Sequence, residues 1–181
     1  MSHGVDPGPA RIVLVGFMAA GKSTVGRVLA DRLDWSFIDF DDVIQQRCGR
    51  SPGAVIREDG EAAFRQLEAE ATTALAGRER VVLAPGGGWA LRPALTAALG
   101  PGTVRVWLRV TPEEAVRRAE ADGTDRPLLG PPEGRLERVR RLLAERSPHY
   151  AAAELVVDVD DRRPDEVAGE ILERIGLRTG G

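Results

Sequence analysis

Between an apolar run, Arg11-Ile12-Val13-Leu14-Val15, and an amphipathic stretch, Thr24 to Leu33, stands the octet Gly16-Phe17-Met18-Ala19-Ala20-Gly21-Lys22-Ser23. It fits GxxxxGK[ST], a loop whose backbone N–H groups cradle phosphates. The β-branched run before it reads as a buried parallel strand, and Val25, Val28, Leu29 and Leu33 after it recur at helical spacing. Strand, glycine loop and helix in that order commit the chain to an α/β architecture. The 25 Lys and Arg residues include one lysine, Lys22, and it lies inside the octet. A compact ammonium on a flexible stem can follow outer phosphates through a tight cradle, whereas a rigid guanidinium fork cannot easily do so. The chain is therefore expected to bind a nucleoside triphosphate along Ala19, Ala20, Gly21, Lys22, Ser23 and Thr24. Lys22 would bridge the β and γ phosphates, and the Ser23 hydroxyl would ligate Mg²⁺.

The rest of the chain keeps the same alternation. Strands are expected over 35–40, 80–84, 103–110 and 154–159. Helices are expected from about Asp41, and over 61–76, 92–99, 134–145 and 164–175, with a further one opening at Thr111-Pro112-Glu113-Glu114. That tetrapeptide supplies an N-cap, a proline at the first helical position and a capping-box glutamate. Five strands separated by helices imply a parallel sheet covered on both faces. One domain over 11–177 is expected, with mobile tails at 1–10 and 178–181. The segment 122–134, rich in Gly and Pro and without apolar period, is a candidate lid.

A net charge of −3 with a pI near 5.5 argues against a nucleic-acid partner. No apolar stretch reaches the roughly 18 residues of a membrane span. Cys48 has no second cysteine to pair with. These features point to a cytoplasmic protein, expected to be a monomer.

Several further residues could carry chemistry. Asp39 and Asp41, two apart at the end of the second strand, would share one side and face the ligand crevice. One could serve Mg²⁺ and the other an acceptor hydroxyl, or one could cap the following helix. Gly86-Gly87-Gly88 follows the third strand, where a backbone must approach a ligand closely. Arg65 has Glu61 and Glu68 at i−4 and i+3, which a solvated helix salt bridge would also explain. Arg146 near a helix end would suit the macrodipole.

Taken in order, Gly16 to Ser23, Asp39-Phe40-Asp41, Gly60-Glu61 with Phe64-Arg65 and Glu68, Gly86-Gly87-Gly88, Arg126-Pro127-Leu128-Leu129, and Arg146 with Tyr150 resemble the motifs of shikimate kinases. The resemblance spans about 11–175. It implies a P-loop fold like that of nucleoside monophosphate kinases, with five parallel strands and a mobile lid. It implies transfer of the ATP γ-phosphoryl group to the 3-hydroxyl of shikimate, on the route to chorismate and the aromatic amino acids. Carried over, Ser23 and Asp39 serve Mg²⁺, and Asp41 binds the acceptor and acts as base. Arg65 and Arg146 hold the carboxylate, and Gly87 contacts substrate through its backbone. Arg126 joins Lys22 at the phosphates, with Arg118 and Pro164 near adenine. Three positions depart from the pattern: Ala20, Ile56 at a wall position often aromatic, and Trp89 after the glycines. A gluconate kinase of the same fold, or a nucleotide-dependent switch, is the competing reading. The first lacks the later motifs, and a guanine-type Asn-Lys-x-Asp signature is ruled out by the single lysine.

Overall fold

The computed structural model describes residues 8–123 and 129–177. Its five strands, β1 (Arg11–Val15), β2 (Ser36–Asp39), β3 (Val81–Ala84), β4 (Thr103–Arg109) and β5 (Leu155–Asp158), form one sheet in the order β2-β3-β1-β4-β5. Every neighbouring pair is parallel. All five residues of β1 are buried, as a central strand between two covered faces requires. β3 and β4 flank β1 on opposite sides, so a crevice opens beyond its C-terminal end. The glycine octet leaves β1 there.

Eight α-helices are described: α1 (Lys22–Leu33), α2 (Phe40–Cys48), α3 (Pro52–Asp59), α4 (Glu61–Leu75), α5 (Pro93–Ala98), α6 (Pro112–Asp122), α7 (Arg135–Tyr150) and α8 (Pro164–Ile175). A 3₁₀ turn, Trp89–Leu91, precedes α5. The main core joins the sheet to α1, α7 and α8, while Ile44, Val55 and Phe64 make a small second cluster between α2, α3 and α4.

Three elements differ from expectation. Apolar periodicity does not reveal α3, whose signal is capping: the Ser51 hydroxyl accepts from Ala54 N at 3.2 Å, and Pro52 opens the helix. α7 passes Glu145 and Arg146 and runs through Pro148 to Tyr150. Its last turn survives the missing N–H of Pro148 because Tyr150 is fully buried and its hydroxyl donates to the Gly87 carbonyl. At α6 the box is half made. Thr111 Oγ1 accepts from Glu114 N at 3.4 Å, but the Glu114 carboxylate turns to Arg117 and Arg118.

Candidate active site

The octet wraps the start of α1. That helix begins with no side-chain cap and no acidic residue in its first turn, which leaves its N–H groups and positive dipole end to an anion. Lys22 Nζ folds back to donate to the carbonyls of Gly16 and Phe17, each at 3.0 Å, so the ammonium lies over the cradle. Of the two alanines here, Ala20 is an ordinary buried residue, while Ala19 takes a left-handed φ of 63°. The strain of the loop therefore sits at Ala19, and such a conformation costs an alanine about 1–2 kcal/mol. That outlier is a feature of functional loops.

Ser23 and Asp39, the expected magnesium residues, are in direct contact, the hydroxyl donating to Asp39 Oδ2. Asp39 ends β2 and caps α2, its Oδ1 accepting from Asp41 N at 3.0 Å. The pairing of Asp39 with Asp41 thus comes from this cap and not from strand alternation, because the strand stops at Asp39. Asp41 is exposed in the first turn of α2. No cluster of three or more His, Cys, Asp or Glu among the described residues could hold a metal. A hydroxyl and one carboxylate nonetheless suit Mg²⁺, which keeps several waters and takes phosphate oxygens from its substrate.

On the far side of the cradle, Arg118 Nη1 lies 3.7 Å from the point where a Cβ on Gly21 would stand. Arg118 is held by Glu114 Oε1 at 2.6 Å and by the Val159 carbonyl at 2.6 Å. Arg117 and Arg118, by hydrogen bond and charge, hold the Glu114 carboxyl at about 2, below its ordinary 4.5. Pro164 opens α8, half-buried, five residues beyond that carbonyl. Arg126 lies outside the described residues, as do 124–128 of the expected lid.

The second group of residues gathers around the glycines after β3. A Cβ on Gly88 would come within 2.4 to 2.6 Å of the Arg65 guanidinium, and one on Gly86 within 2.4 Å of Glu68 Oε1. A side chain at either position would have to displace the Arg65 guanidinium or the Glu68 carboxylate from its place. A Cβ on Gly87 would stand 3.3 Å from Met18 N, 3.4 Å from the Gly16 carbonyl and 3.5 Å from Arg146 Nη1. Gly87 is therefore where the two glycine loops and Arg146 meet. Arg146, 6% exposed, also stacks 5.7 Å over the Phe17 ring. Burial pushes the Tyr150 hydroxyl to about 12, against the opposing pull of Arg146, so it stays a neutral donor to Gly87.

Arg65 is more than a solvated helix salt bridge. It bonds exposed Glu61 at 2.7 Å, but its other partner, Glu68 at 2.8 Å, has no exposed surface. Burial works against its charge, yet the bonds to Glu68 and Glu61 prevail and its pKa is raised. Trp89 does not narrow the site. It is fully buried, and its indole N–H donates to Thr72 Oγ1 at 2.9 Å. Ile56 is half-buried against the small second cluster. Sequence reasoning passed over Arg92, which reaches Glu68 at 3.0 Å, because nothing in the local pattern ties it to α4.

This geometry sets a phosphate cradle against a pair of guanidiniums. A family model described as shikimate kinase matches residues 18–176. The chain belongs to the shikimate kinase family. Shikimate kinase of Moorella thermoacetica is 42% identical over 168 residues, covering 92% of this chain and 95% of the relative. That of Thermus thermophilus is 44% identical over 171 residues, covering 93% and 92%. Among solved structures, shikimate kinase from Acinetobacter baumannii in complex with shikimate has a TM-score of 0.86 and 33% identity, covering 94% of both chains.

Proposed function

We propose that the protein is an ATP-dependent kinase that phosphorylates the 3-hydroxyl of shikimate, and that the two halves of the site divide that task. The observation that carries the reading is the meeting of Gly87 with the phosphate loop and Arg146, which sets a carboxylate receptor beside a phosphate cradle. The loop N–H groups and Lys22 bind the β and γ phosphates, while Arg118 and Pro164 flank the adenine. Ser23 and Asp39 hold Mg²⁺, which neutralises phosphate charge when bound. Arg65 and Arg146 take the substrate carboxylate through their paired N–H donors. Asp41 accepts the proton of the attacking hydroxyl as its oxygen forms a bond to the γ-phosphorus. The bond from that phosphorus to the bridging oxygen breaks, and ADP leaves. Arg126, within a lid over 122–134, adds positive charge on the transferred group. Phosphoryl transfer asks mainly for positioning and charge, which this set supplies.

We read the protein further as a cytoplasmic monomer with a single kinase domain over 11–177. Its lone cysteine and modest negative charge support that, and light scattering on the eluting protein would test the oligomeric state. No described helix is long and apolar enough to cross a membrane.

The test of function is a coupled ADP-release assay with shikimate, with gluconate and with no acceptor, each with and without Mg²⁺. Release should require both shikimate and the metal. Equal rates with gluconate, or release without an acceptor, would overturn the assignment.

A further inference from the structure

Arg92 ends the 3₁₀ turn after the glycines and begins α5, yet both bonds of its guanidinium go to α4. Nη2 donates to Glu68 Oε2 at 3.0 Å, and Nη1 donates to the backbone carbonyl of Arg65 at 2.8 Å. The same Glu68 oxygen accepts from Arg65 Nη1 at 2.8 Å. One fully buried carboxylate is thus shared by two guanidiniums, one of which is the expected receptor of the substrate carboxylate.

Charge and geometry both give this sharing a purpose. Arg65 by itself faces two carboxylates, Glu61 and Glu68, which would make it a poor receptor for a third. Arg65, Arg92 and Arg146 against Glu61 and Glu68 leave one positive charge; without Arg92 the cluster is neutral. Arg92 also pins the turn of α4 that carries Arg65, since it holds that residue's own carbonyl. The Arg65 guanidinium lies where a Cβ on Gly88 would collide with it, so a small swing of α4 would take it away from the glycine loop. The bond from Trp89 to Thr72 makes a second tie between the same turn and the same helix.

We propose that Arg92 is a positioning residue for the substrate carboxylate: by sharing Glu68 with Arg65 and holding the Arg65 carbonyl, it fixes the Arg65 fork beside Gly88 and keeps the cluster positive. The proposal rests on the reading of Arg65 as carboxylate receptor, and the experiment separates the two.

Arg92→Gln, Arg92→Lys and Arg65→Gln are compared with the parent protein by steady-state kinetics. Shikimate and MgATP are varied separately, and melting temperatures are recorded alongside. Arg92→Gln should raise the KM for shikimate about tenfold, the effect of losing bonds to a charged group. The KM for ATP should stay within about twofold, because the ties of Arg92 all run to the acceptor half. Arg92→Lys should fall between, since lysine keeps the charge but cannot hold Glu68 and a carbonyl with one planar fork. A merely structural Arg92 would lower the melting temperature and the active fraction without selecting between the two KM values. If Arg65→Gln raises the KM for shikimate and both Arg92 variants leave it unchanged, the positioning role is overturned while the receptor reading stands. If Arg65→Gln itself leaves it unchanged, the receptor reading fails and the proposal with it. Should Arg92→Gln not fold, Arg92→Lys alone decides by the same criterion.

Discussion

Gly16 to Ser23 is one unbroken run that leaves a strand and starts a helix, whereas the guanidinium cluster opposite draws Arg65 and Glu68 from α4, three glycines from the turn after β3, Arg92 from the start of α5, and Arg146 with Tyr150 from α7. The phosphate group explains the first arrangement. It is highly charged and nearly symmetric, so backbone N–H groups, a helix end and one flexible ammonium recognise it without help from distant segments. A planar carboxylate on a chiral ring explains the second. It must be held by oriented forks at a fixed distance from one reacting hydroxyl, and a misplacement of about 1 Å can cost on the order of 10²-fold in rate. The phosphate cradle is therefore local, its strain confined to Ala19 within the octet, while the acceptor half depends on packing throughout the fold.

The sharpest way to break this division lies at its border. Asp41 is assigned to the acceptor half although its backbone is tied to Asp39 beside the phosphate loop. Asp41→Asn should lower kcat by roughly 10² to 10⁴, the range for a lost general base, with ATP affinity by calorimetry nearly unchanged. Near-normal turnover in the folded variant would return Asp41 to the role of a first-turn helix residue. Next in size is the nucleotide half alone. Lys22 is the only lysine, so an acylating reagent has one side-chain amine to find. Full modification at Lys22, located by mass spectrometry, should reduce activity by about 10² or more through loss of a phosphate-stabilising charge. MgATP should protect and shikimate alone should not; protection by shikimate alone would show the halves to be less separate than argued.

The smallest effect concerns Glu114, which orients Arg118 behind the cradle. Its folded carboxyl lies at about 2 against an ordinary 4.5, so its stabilising contribution is complete above about 4.5 and is lost as the pH falls toward 2. Glu114→Gln should flatten the acid limb of stability between those values, followed by circular dichroism. It should also raise the KM for ATP by only about two- to threefold, the scale of a modest ion pair. A larger rise in the KM for shikimate than for ATP would place Arg118 on the wrong side of the comparison.

The phosphate cradle was legible in the chain because its determinants are consecutive: strand, octet and helix stand at Arg11 to Leu33 within about a residue or two of where periodicity sets them. The same holds for α8, whose apolar period and opening Pro164 fix both ends. Less legible were α3, written in caps, and the end of α7, expected at 145 but carried on through Pro148 by the burial of Tyr150. Sequence alone thus determined the five parallel strands and the phosphate loop, because those follow from residues whose chemistry acts on near neighbours, while the family of reaction came from the resemblance of six ordered motifs to shikimate kinases. Only the tertiary structure decided that Glu68 is buried and shared, that Arg92 reaches back to α4, and that Gly87 meets both the phosphate loop and Arg146. Those contacts join segments distant along the chain, and a charge's partner across such a gap is set by how the layers pack.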